Sequence, residues 1–367
     1  MRNRWMRHLV IAMVALLGLL ALPIGVAADT CACDPIQPFL VVDRFDETHV
    51  TYRNADRPGI VYASNKSGSW VKTRITSSRD ESFAIAVDSA QKVYIVFQRE
   101  VDDAVGFRLV SNRTGAWAVT GLSIIHADAY DVHIQVDPAK KIHLAWTTDE
   151  HAWYATNETG TWVRRQLDHA MGANTKIALD SAGNVHLLYL QCTNDGVGTC
   201  EGAGIYYETD KTGSWVAQRV STDQEDKPQD LLVDPAGKIH LVFAREYNSQ
   251  AQPNLPLGVY YVTNTTGTWK ALRAAAPGRM ASIARTPGGA IHISFARVDG
   301  NLGIFLATRR NGVWTVTEAI KEYALYPTIG IESDGRLHLS FMRMAIDPGI
   351  YHAIFINGGW ARRELMD

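Results

Sequence analysis

The chain has 367 residues, with 36 Lys and Arg against 38 Asp and Glu, 46% hydrophobic residues and four cysteines. These are globular values and argue against a disordered chain. The first 28 residues hold three Arg and no acid, so the remainder counts 33 basic against 38 acidic residues, a net charge of −5 that argues against nucleic acid or a polybasic membrane surface as the main partner.

The N-terminal segment has its own pattern. Arg2, Arg4 and Arg7 precede an apolar run from Leu9 to Leu22, Pro23 and Gly25 break it, and Val26-Ala27-Ala28 offers a small-residue cleavage site. Residues 1–28 therefore read as a secretory signal peptide, with a retained N-terminal anchor as the alternative. The expected location is secreted or extracytoplasmic. Cysteines suit an oxidising compartment. Cys192 and Cys200 are eight apart in a Gly- and Asp-rich segment and are expected to pair; Cys31 and Cys33 are too close for an unstrained bridge. No cysteine–histidine spacing completes a metal set, and no phosphate loop or nucleophile elbow appears, so neither metal nor cofactor is expected.

From residue 29 to 367 the chain repeats itself. Trp70, Trp117, Trp162, Trp215, Trp269, Trp314 and Trp360 recur at intervals of 45 to 54 residues, each with Gly two positions earlier. Five copies place Asn or Asp three residues before that Gly: Asn65, Asn112, Asn157, Asp210 and Asn264. This is turn chemistry, because Gly takes positive φ and Asx side chains bond nearby backbone. Ahead of each turn lies a second module such as IALDSAGNVHLLY or LLVDPAGKIHLVF, an apolar stretch, a tight turn and an alternating stretch. That pattern is two β-strands joined by a turn. In the repeat from Asp180 to Trp215, strand A ends at Asp180, strand B covers Asn184 to Leu190, strand C covers Gly204 to Thr209, and strand D starts near Trp215. Four strands per repeat, seven repeats and no helical period predict an all-β, seven-bladed β-propeller of four-stranded antiparallel blades, forming one domain. A β-helix is the competing architecture, but its repeats are shorter.

The turn before each Trp resembles the Asp-box, or BNR repeat, of the sialidase-like propeller superfamily. The resemblance implies a propeller with the box between the third and fourth strands. It transfers no catalytic residue, because the boxes are structural turns. The spacing departs from the family's by one residue, the copies at Gly312 and Gly358 lack the preceding acid or amide, and Tyr52-Arg53-Asn54 does not match the sialidase N-terminal signature.

In such a fold the B–C loops and the connections from strand D to the next strand A share one face. These segments vary in length and composition, so this loop face is the expected site of function. The B–C loops Gln191–Ala203 and Ala244–Leu257 are the longest. Arg99, Arg245, Arg297 and Arg343 follow strand B at one equivalent position and offer forks for carboxylate, sulfate or phosphate, or else are solvated strand ends or inter-blade salt bridges. His133, Lys176, Asp230, Ser282 and Thr328 share a position in strand A that would ring the central channel. Glu246, Asp131, Tyr326 and other loop acids and aromatics accompany them. His49, His143, His186, His240, His292 and His338 share a strand-B position, with Tyr94 in the remaining blade, and are expected to make hydrogen bonds locking each blade to its neighbour. The expected function is an exported module recognising an extracellular glycan or protein. An enzyme of acidic glycans, sialidase-like glycosidase or uronate lyase, is the second reading, and a purely structural cell-surface protein the third.

Overall fold

The computed structural model describes residues 37–53, 58–78, 80–101, 104–122, 129–148, 151–167, 174–194, 200–223, 226–246, 256–297, 300, 302–344 and 348–365. Among these, 28 strands form seven four-stranded antiparallel sheets, each a simple A–B–C–D meander. The blades span residues 39–74, 81–121, 130–166, 176–219, 226–275, 279–320 and 324–364. Strand A of each blade packs against strand A of the next, and that of blade 7 packs against that of blade 1, which closes the ring. The chain is thus an all-β, seven-bladed propeller in which every blade is contiguous in sequence. Cys31, Cys33 and the side chains of Cys192 and Cys200 lie outside the described residues, as does the N-terminal segment.

The blades cohere through apolar faces. Seven clusters of buried side chains each combine residues of two adjacent blades. No blade covers both of its own faces, so burial stabilises the ring rather than any single sheet.

Over this apolar packing lies a polar relay at the turn face. In blade 4, Asp180 caps the A–B turn with Oδ1, accepting the N–H groups of Ala182 and Asn184 at 3.0 Å each. Its Oδ2 faces His186 Nε2 at 3.6 Å, and His186 Nδ1 meets the Tyr207 hydroxyl at 2.6 Å. The Tyr207 ring then stands edge-on to Trp269 of the next blade, centroids 5.1 Å apart. The same acid–His–Tyr chain recurs as Asp43–His49–Tyr62, Asp137–His143–Tyr154 and Asp234–His240–Tyr261. Each of these tyrosines meets the next blade's Trp: Trp117, Trp215 and Trp314 respectively. In these four blades the histidine therefore bonds within its own blade, and the tyrosine carries the contact across, because the strand-B side chain reaches its own A–B turn and its own strand C first. The expectation that His itself locks the neighbour holds at the seam, where His338 Nδ1 of blade 7 meets Thr48 Oγ1 of blade 1 at 3.2 Å, and is corrected for these four. In blade 2, Tyr94 replaces His and donates to Asp88 Oδ2 at 3.2 Å.

The C–D turns come in two kinds. In blades 1 to 5 the Asx side chain accepts the N–H that opens strand B, as Asn65 does from Thr48 at 2.7 Å and Asp210 from Val185 at 2.7 Å. The glycine three residues on turns with φ between 78° and 97°. Blades 6 and 7 lack this residue and use two-residue hairpins, Asn311-Gly312 and Asn357-Gly358, with positive φ at both positions. The missing Asx thus marks a shorter hairpin.

Blade 4 also departs from expectation. Its strands B and C run to Val185–Asn194 and Cys200–Thr209, pairing beyond a bulge, so much of the expected Gln191–Ala203 loop is ladder.

The first and last blades meet at the seam between blades 7 and 1. Tyr52 Oη donates to the Leu365 carbonyl at 2.6 Å, and His352 packs on Trp70 at 4.9 Å in place of a tyrosine. Gly330 lies against this seam; a Cβ there would come within 2.5 Å of Leu40 Cδ2 and 2.6 Å of Val42 Cγ2.

Two outcomes follow. Gly330→Ala forces the closing strands apart and should cost about 1–3 kcal/mol, seen as a lower thermal midpoint; an unchanged midpoint would contradict this closure. Burial pushes the imidazoles of His49, His143, His186, His240 and His338 below their ordinary value, and that of His292 down to about 4. The unfolded chain takes up these protons near pH 6.5, the native chain only at lower pH. Stability should therefore hold above about pH 6.5 and fall steadily below it, with net proton uptake on unfolding measurable at pH 5 to 6.

Candidate functional site

Where the first strands converge, they enclose a cavity of about 430 Å³ at the loop face of the channel. Its wall is a ring of one residue per blade: Phe39, Ala84, His133, Lys176, Asp230, Ser282 and Thr328. These occupy equivalent register positions, opposite Thr51, Val96, Ala145, Leu188, Val242, Ser294 and Ser340 of strand B. The five polar positions read from the sequence are thus brought together, and Glu246 joins them at the rim.

A second tier lies two residues earlier in each blade. Ser82, Asp131, Asn174, Met280 and Tyr326 all have positive φ, between 40° and 78°. Four of them sit at β-bulges where the A–B register slips, and blade 5 slips instead at Gln229, because the equivalent Pro228 cannot take positive φ. A left-handed non-glycine residue costs about 1 kcal/mol or more, so it persists only where surroundings impose it. Here the bulges turn side chains toward the neighbouring blade. Ser82 Oγ accepts the Val132 N–H at 3.1 Å, and Gln229 Oε1 accepts the Ala281 N–H at 2.9 Å. Alternation counting by twos misses the bulge, although Asp131 and Tyr326 stand at the right spacing to share the channel face with His133 and Thr328.

One bulge builds the cavity's most connected cluster. Lys176 Nζ contacts both Asp131 oxygens at 3.2 Å and His133 Nε2 at 2.9 Å, so its three N–H donors are occupied. His133 Nε2 also lies 3.3 Å from Asp131 Oδ1, so the ammonium calls for its lone pair and the carboxylate for a proton on the same nitrogen. Burial and then the Lys176 charge push the His133 imidazole below its ordinary value, keeping it neutral at pH 7. Burial would raise the Asp131 carboxyl, but Lys176 and His133 outweigh it and hold it well below the usual carboxylate range. Asp230 is different: burial raises it from its ordinary value despite its hydrogen bonds to the Ile283 and Leu231 N–H groups and the Ser282 hydroxyl.

The arginines are elsewhere. Arg99 grips Asp80 with two hydrogen bonds of 2.6 and 2.8 Å, and Arg245 grips Asp226 with two of 2.7 Å. Arg343 donates to Glu322 at 2.9 Å, a carboxylate it shares with Arg362. Arg297 lies over the Phe305 ring, 5.0 Å from its centroid. None of the four lines the cavity. The acids they hold sit at or just before strand A of the same blade, so these pairs clamp strand B to that strand's entry. Trp146 is fully buried and stacks on Trp153.

Among the described residues, Asp43, Glu47 and His49 form one set of metal-ligating types, at the turn face of blade 1. The Gln91 amide donates to both carboxylates, to Asp43 at 2.9 Å, and His49 Nδ1 is held by Tyr62. The set belongs to the turn relay.

No family model matches the chain, and no curated protein matches its sequence. Solved structures do match in fold. A polysaccharide lyase of family PL25, an ulvan lyase, superposes with TM-score 0.61 at 11% identity, covering 88% of this chain and 93% of that one. SapL1 lectin, solved with α-methyl fucoside, gives 0.52 at 9% identity over 90% and 95%. A puromycin-hydrolyzing peptidase of Mycobacterium tuberculosis gives 0.58 at 10% identity over 89% of this chain and 52% of that one. At such identities the likeness shows the propeller fold.

Lys176→Gln should release the His133 imidazole from a neighbouring positive charge. Its titration, followed by the ring-proton NMR shift, should move upward; an unmoved midpoint would show that Lys176 does not govern it.

Proposed function

We propose that the protein is an exported recognition module that binds a glycan in the cavity at the loop face of its channel. The observation that carries this is the cavity itself, where all seven blades contribute and donors and acceptors are fixed by hydrogen bonds between blades. Such a site offers a sugar many preorganised polar partners at little ordering cost. Phe39 and Tyr326 add apolar ring surface to the wall. Glycan binding agrees with the lectins and the polysaccharide lyase among the fold's neighbours, and export with the N-terminal pattern of residues 1–28.

A second reading, an enzyme of acidic glycans, draws on one feature. A neutral His133 beside the Lys176 ammonium is a pair able to exchange a proton. The arginines that would neutralise a substrate carboxylate, however, are engaged by Asp80, Asp226 and Glu322.

A glycan array with the mature chain should show binding, weakened at least about tenfold by Thr328→Tyr, which narrows the cavity; loss of the hydrogen bond to buried Ser340 should lower the thermal midpoint only modestly, so that the variant is assayed folded. Binding that ignores the substitution would move the site elsewhere, and a blank array would remove the glycan reading. Appearance of an unsaturated uronate, followed by ultraviolet absorbance on polyuronates, would favour the enzyme.

A further inference from the structure

We infer that the cavity selects ligands bearing a protonated amine, such as the free amino group of a 2-amino-2-deoxy sugar, over acidic or N-acetylated ones. This rests on the glycan-binding reading above and names the chemistry of its ligand.

The charges in the cavity lead to this. Its lining holds three carboxylates, Asp131, Asp230 and Glu246, against two cations, Lys176 and Arg279, with His133 neutral. Lys176 has its donors on Asp131 and His133, and Arg279 faces Glu246 across the rim at 3.8 Å. Each cation thus already has an acid. The remaining carboxylate is Asp230. Among the described residues its oxygens accept only neutral donors: Leu231 N–H at 2.8 Å on Oδ1, and Ser282 Oγ and Ile283 N–H at 2.9 Å each on Oδ2. A carboxylate has about four acceptor positions, so one stays available, on Oδ1. Lys176 acts on Asp230 only at a distance.

A half-buried carboxylate without a paired cation is poorly solvated, and a ligand ammonium would supply the missing charge. The rings of Phe39 and Tyr326 in the same wall suit a cation as well as a sugar face. An incoming carboxylate would meet Asp230 and Glu246, and the one lining cation with a donor to offer is Arg279, whose Nε has no hydrogen-bond partner among the described residues but which already faces Glu246 at 3.8 Å.

The surrounding sequence has the same sign. The segments joining strand B to C, and D to the next A, carry 15 Asp or Glu against three Lys or Arg, whereas the A–B and C–D turns carry 11 against nine. The acidic excess therefore belongs to the end at which the cavity opens. A cleft with one sign of charge draws in ligands of the other and speeds their arrival.

The test is isothermal titration of the mature chain at about pH 6, where an amine is protonated, with three tetramers: glucosamine, N-acetylglucosamine and galacturonate. The glucosamine tetramer should bind at least about tenfold more tightly than the other two, with affinity falling as salt rises. Asp230→Asn should erase most of that preference. Because Asp230 also ties blade 5 to blade 6, Glu246→Gln at the rim serves as a second variant and should reduce the preference by a smaller factor without lowering the thermal midpoint. Equal affinity for the glucosamine and N-acetylglucosamine tetramers overturns the amine inference and leaves glycan binding standing. Tighter binding of galacturonate overturns it in favour of an acidic ligand. If none binds but a neutral glycan does on the array, the inference alone fails; if nothing binds in either experiment, the glycan reading fails with it.

Discussion

A four-stranded sheet with apolar side chains on both faces cannot cover itself, and this constraint shapes the whole molecule. Each blade finds its cover in the next, and the seven apolar clusters all straddle a boundary between blades. The seventh boundary exists only if the ring closes, so the fit of blade 7 on blade 1 governs the rest. Here the first and last blades are each whole, and closure rests on side-chain packing, the Tyr52–Leu365 hydrogen bond and the close approach at Gly330.

The two faces divide their labour by chemistry. At the turn face the same acid, histidine, tyrosine and tryptophan recur because each satisfies the group before it. The acid caps a turn and faces the imidazole, the imidazole holds the tyrosine hydroxyl, and the tyrosine ring supports the next blade's tryptophan. A repeated chain of this kind leaves few groups for a ligand. At the loop face the regularity is of another sort. Strand A bulges two residues before the channel ring in most blades, and what it presents differs from blade to blade: Ser82, Asp131, Asn174, Met280 and Tyr326. The backbone device is common, while the chemistry is individual, which suits a site that recognises one particular ligand.

The arginines show why a residue type has to be read with its partners. Arg99, Arg245 and Arg343 share a position in the repeat, and by sequence each is either an anion fork, a solvated strand end or one half of an inter-blade salt bridge; the partner proves to lie in the same blade. Their carboxylates lie 19 to 21 residues upstream, at or just before strand A, and reach the guanidinium only because the A–B hairpin folds back. The ring residues fared better. His133, Lys176, Asp230, Ser282 and Thr328 share one register position, and register in a meander follows from alternation along each strand.

By itself the sequence determined the number of blades, the order of strands and the direction in which the ring residues point, because a period of two and a recurring turn are local properties. It also marked blades 6 and 7 as different, through the missing Asx residue. Tertiary structure alone decided which polar groups neutralise one another. Bulges add a residue without altering composition, and ion pairs join segments that only folding brings within reach. Whether Lys176 is available to a ligand, or Asp230 lacks a cation, depends on distances between blades, and those distances are set by closure of the ring.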